Sequence, residues 1–273
     1  NVKDATLLDA ISKEVLKKLD EIEPQSLGIL ADAKLACSAD VERVLLPIAK
    51  RFAEHLPRSL DDFLAREFAS FVRELRVDNF GAWGTRFVLD QIGLSGPDAA
   101  FLERASQQIV QAGVGAGTDE GRNGKEIQDV LSGAALVHRR VFSYGEYGLE
   151  VSGGGAPISG SLTKENGRRD RGAAGGFDSR GSVLRPLSSP ISGLVDRSLC
   201  SEFQLLATVL DVLSQATGMS SAAATRGYIR LFVSTSPCVS CLWAIRQCQL
   251  MLPQVRLEVA NGEEAYLFTE GPC

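Results

Sequence analysis

Apolar positions recur at helical spacing through the first 112 residues. Leu7, Leu8, Ile11, Val15, Leu16, Leu19 and Ile22 fall on one stripe with charges between them, and Pro24 closes the run. Similar stripes predict helices over 26–36, 39–55, 59–76 and 98–112, with Asp40, Ser59 and Pro97-Asp98 as start signals. Between the last two, Asp78-Asn79-Phe80-Gly81-Ala82-Trp83-Gly84-Thr85 breaks the period and carries two aromatics. It reads as a turn-rich packing corner or, alternatively, as a contact surface. His55 lies near a helix end, where a capping or surface role is the expectation. These stretches read as a helical module over 1–112, with no recognisable chemistry of its own.

Gly113 to Gly124 is glycine-rich and reads as a linker. After one more helix carrying Ile127, Val130, Leu131 and Ala134, the pattern changes. Residues 136–142 and 147–151 read as two opening strands, with Tyr144-Gly145-Glu146 turning between them. His138 there reads as structural or surface, with a ligand or phosphate contact as the alternative. Residues 152–189 hold many glycines, five arginines and few apolar side chains, and read as a flexible insertion. The alternative is a mobile basic arm in which Arg168, Arg169 and Arg171 touch phosphates.

Order returns with a helix over 202–217, where Phe203, Leu206, Val209, Leu210 and Leu213 share a face and Gly218 stops the run. A polar link precedes a buried strand over 228–234. A helix over 238–252 follows, ended by Pro253, with Leu242, Trp243 and Ile245 packing on the sheet. Val255, Leu257 and Val259 alternate as a strand. Asn261-Gly262 is a two-residue hairpin signal that would return 265–269 as an antiparallel strand. The expected fold class is α/β, a mixed sheet ending in an antiparallel hairpin over 125–273, preceded by the helical module.

At 273 residues the chain can bury one large or two modest cores. Its acidity, 34 Asp and Glu against 29 Lys and Arg, sits before residue 128, since the rest carries 13 of each. Nothing global marks a nucleic-acid binder. No apolar run is long enough to span a bilayer and no signal-peptide pattern opens the chain, so no membrane role is expected. The lack of an initiator Met reads as a processed chain or a fragment. Six cysteines show no disulfide framework. An intracellular setting, cytoplasm or nucleus, is expected, with a secreted effector as the alternative.

Three of those cysteines carry the chemistry. Cys200-Ser201-Glu202 is a Cys-x-Glu, and Pro237-Cys238-Val239-Ser240-Cys241 is a Pro-Cys-x-x-Cys. Together, in this order, they match a motif of zinc-dependent base deaminases, with Cys in place of the more usual His. Three thiolates can hold Zn²⁺ and leave its fourth position open to a water, whose pKa the metal lowers towards ~7. Cys238 and Cys241 lie three apart at an expected helix start, with Ser236 as cap and Pro237 at the first helical position. Glu202, two residues after Cys200, would carry protons without binding the metal. Taken singly, a Cys-x-x-Cys can also be a redox dithiol or half of a structural zinc site.

The order helix, strand, helix, strand, with metal ligands at both helix starts, resembles the cytidine deaminase superfamily. The resemblance covers about the last 75 residues, reaching back towards 130, and leaves the N-terminal helices out. Ser234-Thr235-Ser236-Pro237-Cys238 is similar to the Ser-Trp-Ser-Pro-Cys segment of polynucleotide deaminases, with Thr235 where those carry Trp. The run Cys200-Ser201-Glu202-Phe203-Gln204-Leu205-Leu206, with Cys-Val-Ser-Cys-Leu-Trp later, resembles toxin-like deaminases of bacteria, fungi and protists. Free cytidine deaminases usually carry Arg after the Glu and an Asn-x-Glu segment for the ribose; this chain has Phe203 and no clear Asn-x-Glu. The resemblance implies zinc on Cys200, Cys238 and Cys241, Glu202 as the acid-base group, and Ser234, Thr235, Ser236 and Trp243 near the substrate. The implied substrate is cytosine in single-stranded DNA or RNA. A free nucleoside or nucleotide is the alternative, and a non-catalytic zinc-stabilised binding module the non-enzymatic one.

Overall fold

A computed structural model describes residues 38–60, 79–115, 140–151, 156–167, 184–187, 197–217 and 219–262. Three helices come first: α1 (Ser38–His55), α2 (Gly81–Gln91) and α3 (Ala99–Gly115). Strands β1 (Phe142–Val151) and β2 (Ile158–Glu165) follow, then α4 (Ser201–Thr217), β3 (Thr225–Val233), α5 (Val239–Met251) and β4 (Val255–Asn261). Short 3₁₀ turns, Arg197–Leu199 and Met219–Ala224, flank α4.

The sheet is mixed, in the order β2-β1-β3-β4. β1 pairs antiparallel with both β2 and β3, while β3 and β4 run parallel and are joined through α5. The period of two explains how it packs. Tyr147 and Leu149 of β1, Ile229, Leu231 and Val233 of β3, and Leu257 and Val259 of β4 join one core with α4 and α5. Phe142 and Tyr144, Phe232 and Ala260 point to the other face and meet Phe101, Ala105 and Ile109 of α3. Phe101 and Tyr144 stack there at 5.8 Å between ring centroids.

The helices before residue 115 are not set apart from this body. Ile48, Ala49, Phe52 and Leu56 of the α1 region and Phe80, Val88, Leu89 and Leu94 of the α2 region belong to the same core as α4, α5 and the sheet. Polar bonds reinforce the join: Arg246 donates to the Pro57 carbonyl at 2.8 Å and Gln249 to that of Ile92 at 2.7 Å. Ser95 forms a parallel bridge with Glu258, covering the outer edge of β4. α1 and α3 match the expected 39–55 and 98–112, and Asp98 caps α3 by accepting from the Phe101 N–H at 2.8 Å. His55, near the end of α1 as expected, hydrogen-bonds the Arg51 carbonyl at 2.8 Å. The helices expected over 4–22 and 26–36, nearly all of 59–76, residues 125–134 and His138 lie outside the described residues. So does most of the 113–124 linker. Among the described residues no helix is long and apolar enough to cross a membrane.

Four local expectations are corrected. The break at 78–85 contains the start of α2: Gly81 enters at φ +67, and Gly84 lets the helix sit where a Cβ would stand 2.7 Å from that of Phe80. Gly81 serves the turn into the helix and Gly84 serves close packing. The expected turn at Tyr144-Gly145-Glu146 is the middle of the unbroken strand β1; a Cβ at Gly145 would meet Leu205 of α4 at 2.8 Å, so the glycine admits the helix. The insertion expected over 152–189 contains β2. An edge strand secures itself by main-chain bonds to one neighbour, and only Ile158 and Leu162 of β2 pack against the core. Leu184 and Leu187 of the same stretch are also buried, held by Ser240 and Gln247 of α5. Finally, Gly262 lacks the positive φ that a two-residue type I′ turn needs. Instead its Cα lies against the Ser234 carbonyl, where a Cβ would stand 2.6 Å away. The expected strand 265–269 lies outside the described residues.

Candidate metal centre

Two helix starts meet at the carboxyl end of β3. Leaving that strand, Ser234 is bound to β1 twice: its N–H donates to the Phe142 carbonyl at 2.9 Å, and its Oγ accepts from the Phe142 N–H at 3.0 Å. The chain then runs through a buried Ser236-Pro237 into α5. The cap is Cys238, at φ −72 and ψ 165, and no side-chain bond completes it. This moves the expected cap two residues, from Ser236 to Cys238, and leaves Pro237 just outside the helix. The shift matters, because Cys238 and Cys241 now hold the cap and third helical positions. Side chains at those two positions project to a common point, as in a capping box. Their sulfurs are 3.4 Å apart.

Cys200 reaches the same point from α4. It follows the Arg197–Leu199 turn, and its carbonyl accepts from Gln204 N–H at 3.0 Å, so it opens α4 as Cys238 opens α5. The turn is fixed from behind: Gln204 Nε2 donates to the Leu199 carbonyl at 2.9 Å and the Gly167 N–H donates to the same oxygen at 2.9 Å. The end of β2 therefore positions a ligand more than thirty residues away in sequence. The sulfurs of Cys200, Cys238 and Cys241 all lie within 4.8 Å of one another. Cys200 and Cys238 are half-buried, whereas Cys241 is 1% exposed. The group can hold a metal ion.

Glu202 lies in the first turn of α4 and is 4% exposed. Its Oε2 accepts from Ser201 Oγ at 3.1 Å, and Ser201 Oγ is 2.8 Å from Ser143 Oγ of β1. Ser143 and Ser201 are fully buried. Burial, and then the neighbouring Cys238 sulfur, push the Glu202 carboxyl up to about 7, against donation from Ser201 and Cys241. Cys200 is drawn down to about 4 because Cys238 and Cys241 donate to it, and Cys238 rises to about 11 chiefly through the same bond to Cys200. The Arg197 guanidinium favours the thiolate at both Cys200 and Cys238, which places a cation beside the cluster.

The other expected contacts separate. Thr235 is half-buried beside the cluster's approach strand, while Ser234 is taken up by β1 and Ser236 is 6% exposed. Trp243 is 5% exposed within the main core, as its expected packing on the sheet requires. Arg168, Arg169 and Arg171 lie outside the described residues. Two features carried no sequence signal. Ser143 meets Ser201 across 58 positions, and Asn79 forms an antiparallel bridge with Cys238 itself.

Comparisons with protein families, with curated proteins and with solved structures returned no match.

Proposed function

We propose that the chain is a zinc-dependent deaminase of cytosine in single-stranded nucleic acid. The observation that carries this reading is the meeting of three sulfurs, from two helix starts, with a buried carboxyl on the residue after next. The donor set fits zinc: tetrahedral Zn–S bonds of about 2.3 Å set sulfurs roughly 3.8 Å apart. The 3.4 Å pair and the 4.8 Å limit bracket that spacing. When bound, the metal supplies the Lewis acidity that makes water a nucleophile at neutral pH.

The chain's own groups supply the rest. Glu202 takes a proton from the attacking water, gives it to the ring nitrogen, and returns a second proton to the leaving amine, so cytosine and water become uracil and ammonia. Ser201, backed by Ser143, fixes the carboxyl for those transfers. Cys241, fully buried, anchors the ligand set beside the half-buried Cys200 and Cys238. Phe203 is 1% exposed in the core, so the position after Glu202 offers no cation to a nucleoside. That favours a polynucleotide over a free nucleoside.

The test is to offer the zinc-loaded chain labelled single strands, duplexes and free cytidine, and to measure uracil and ammonia. Conversion within single strands is expected. Activity confined to free cytidine rejects the substrate assignment, and no conversion of any of the three rejects the deaminase.

A further inference from the structure

We infer that Trp83 is the stacking platform for the nucleotide next to the target base. This rests on the deaminase reading above and adds a residue from the helical region that the sequence resemblance does not reach. α2 is pinned at both ends, and at its start beside the metal centre. Before it, Asn79 is bridged to Cys238, a metal-ligand position; after it, Ser95 is bridged to Glu258 of β4. The helix therefore runs along the outer edge of β4, and its first turn lies at the carboxyl end of the parallel strands. Ligands bind at that end of an α/β sheet.

Trp83 stands in this first turn and is 51% exposed, although it is among the largest apolar side chains in the chain. It stands opposite the helix's buried residues Gly84, Thr85, Val88 and Leu89, while Arg86, three residues on, ties the helix to β4 by donating to the Val259 carbonyl at 3.1 Å. Four residues of chain separate Trp83 from the bridged Asn79, which limits the span between their α-carbons to about 14 Å even if extended. The corner is rigid. Phe80 is buried against Phe52 at 5.1 Å, Asn79 Oδ1 accepts from the Gly81 N–H at 2.8 Å, and Gly84 packs on α1.

A rigid, exposed indole on the segment bridged to the metal centre is what a base neighbouring the target requires, because every base has a face to stack and the contact is indifferent to sequence.

The experiment uses the full zinc-loaded chain and a short oligothymidine carrying one central cytosine, with binding and turnover read separately. Binding is followed in every variant by the anisotropy of a dye on the oligonucleotide, and in the wild type also by tryptophan emission, since Trp83 is exposed and Trp243, the other tryptophan, is buried. The oligonucleotide should quench the exposed component. Trp83→Ala should raise Kd and KM roughly tenfold, with kcat within about twofold, the effect of losing one stacked base. Trp83→Phe should recover most of the affinity, and Val110→Ala, an exposed apolar position on α3, should change nothing. Deamination with the same KM in Trp83→Ala overturns the inference and leaves the deaminase intact. Quenching and binding without deamination reject the deaminase and leave Trp83 as a binding platform. An oligonucleotide neither bound nor deaminated rejects both.

Discussion

Replacing Glu202 by Gln changes one oxygen for one nitrogen at a 4% exposed site and so separates proton transfer from architecture. The amide oxygen still accepts from Ser201 Oγ, now 3.1 Å from Oε2, and the side-chain volume is unchanged. Folding stability should therefore shift by no more than about 1 kcal/mol, the scale of one hydrogen bond. The three thiols are untouched, so zinc should remain at one per chain. Turnover should collapse. General acid-base catalysis contributes about 10²–10⁴ in rate, and under the proposed mechanism one carboxyl serves both the water and the leaving amine, so the upper part of that range applies. A loss of about 10³ corresponds to roughly 4 kcal/mol of transition-state stabilisation. Uracil formation from a single-stranded substrate, metal content and thermal unfolding on the same preparation make the measurement. A variant keeping more than about a tenth of the wild-type rate would show that Glu202 moves no proton in the slow step. One that keeps its fold but loses zinc would make Glu202 a ligand.

Four further outcomes are expected. Cys241→Ser should abolish zinc binding and lower the unfolding midpoint; chelation of the wild type should have the same effect, and insensitivity of both fold and metal content contradicts a three-sulfur site. Ser143→Ala should cost about 1 kcal/mol by leaving Ser201 with one partner fewer, and should slow turnover several-fold at unchanged zinc content; an unchanged rate removes Ser143 from the positioning of Glu202. Gly227→Ala should lower stability by at least about 3 kcal/mol in urea unfolding, because φ is +124 and the new Cβ would stand 2.0 Å from the Gly148 carbonyl; a change below about 1 kcal/mol contradicts the β1–β3 register. Arg104 makes a two-pronged bond to Glu146, at 2.8 and 2.9 Å, and holds that carboxyl below its ordinary value. A depressed carboxylate stabilises the fold above its unfolded pKa, and the contribution fades as pH falls through the folded value. Arg104→Ala should accordingly lower Tm slightly at neutral pH, and the gap should close in acid; a gap that widens in acid contradicts the pairing.

What was legible along the chain is what depends on near neighbours. The stripe of Phe203, Leu206, Val209, Leu210 and Leu213 specifies a one-sided helix in any context, and α4 runs from Ser201 to Thr217. The alternation of Ile229, Leu231 and Val233 specifies a strand face in the same way. Cys200, Cys238 and Cys241 could be grouped in advance because ligand chemistry restricts residue type and spacing, and the fold brings all three together. Glycine signals a turn at Gly81 but close approach at Gly84 and Gly145, because the same residue that breaks a period also permits close approach, and only the neighbour across the gap tells which use applies. β2 was hidden for a related reason: an edge strand of Ser, Gly and Thr is specified by its partner's main chain rather than by its own side chains.

The amino-acid order thus determined the helices with apolar stripes, the central strands and the three cysteines that could share a metal, since each follows from periodicity or from donor chemistry. Only the tertiary structure decided that α1 and α2 share the core of the sheet, that Ser143 stands behind Ser201, and that Asn79 bridges Cys238. Those relations join positions tens to more than a hundred residues apart. A contact across that distance is fixed by the summed packing of every element between, and no local pattern records it.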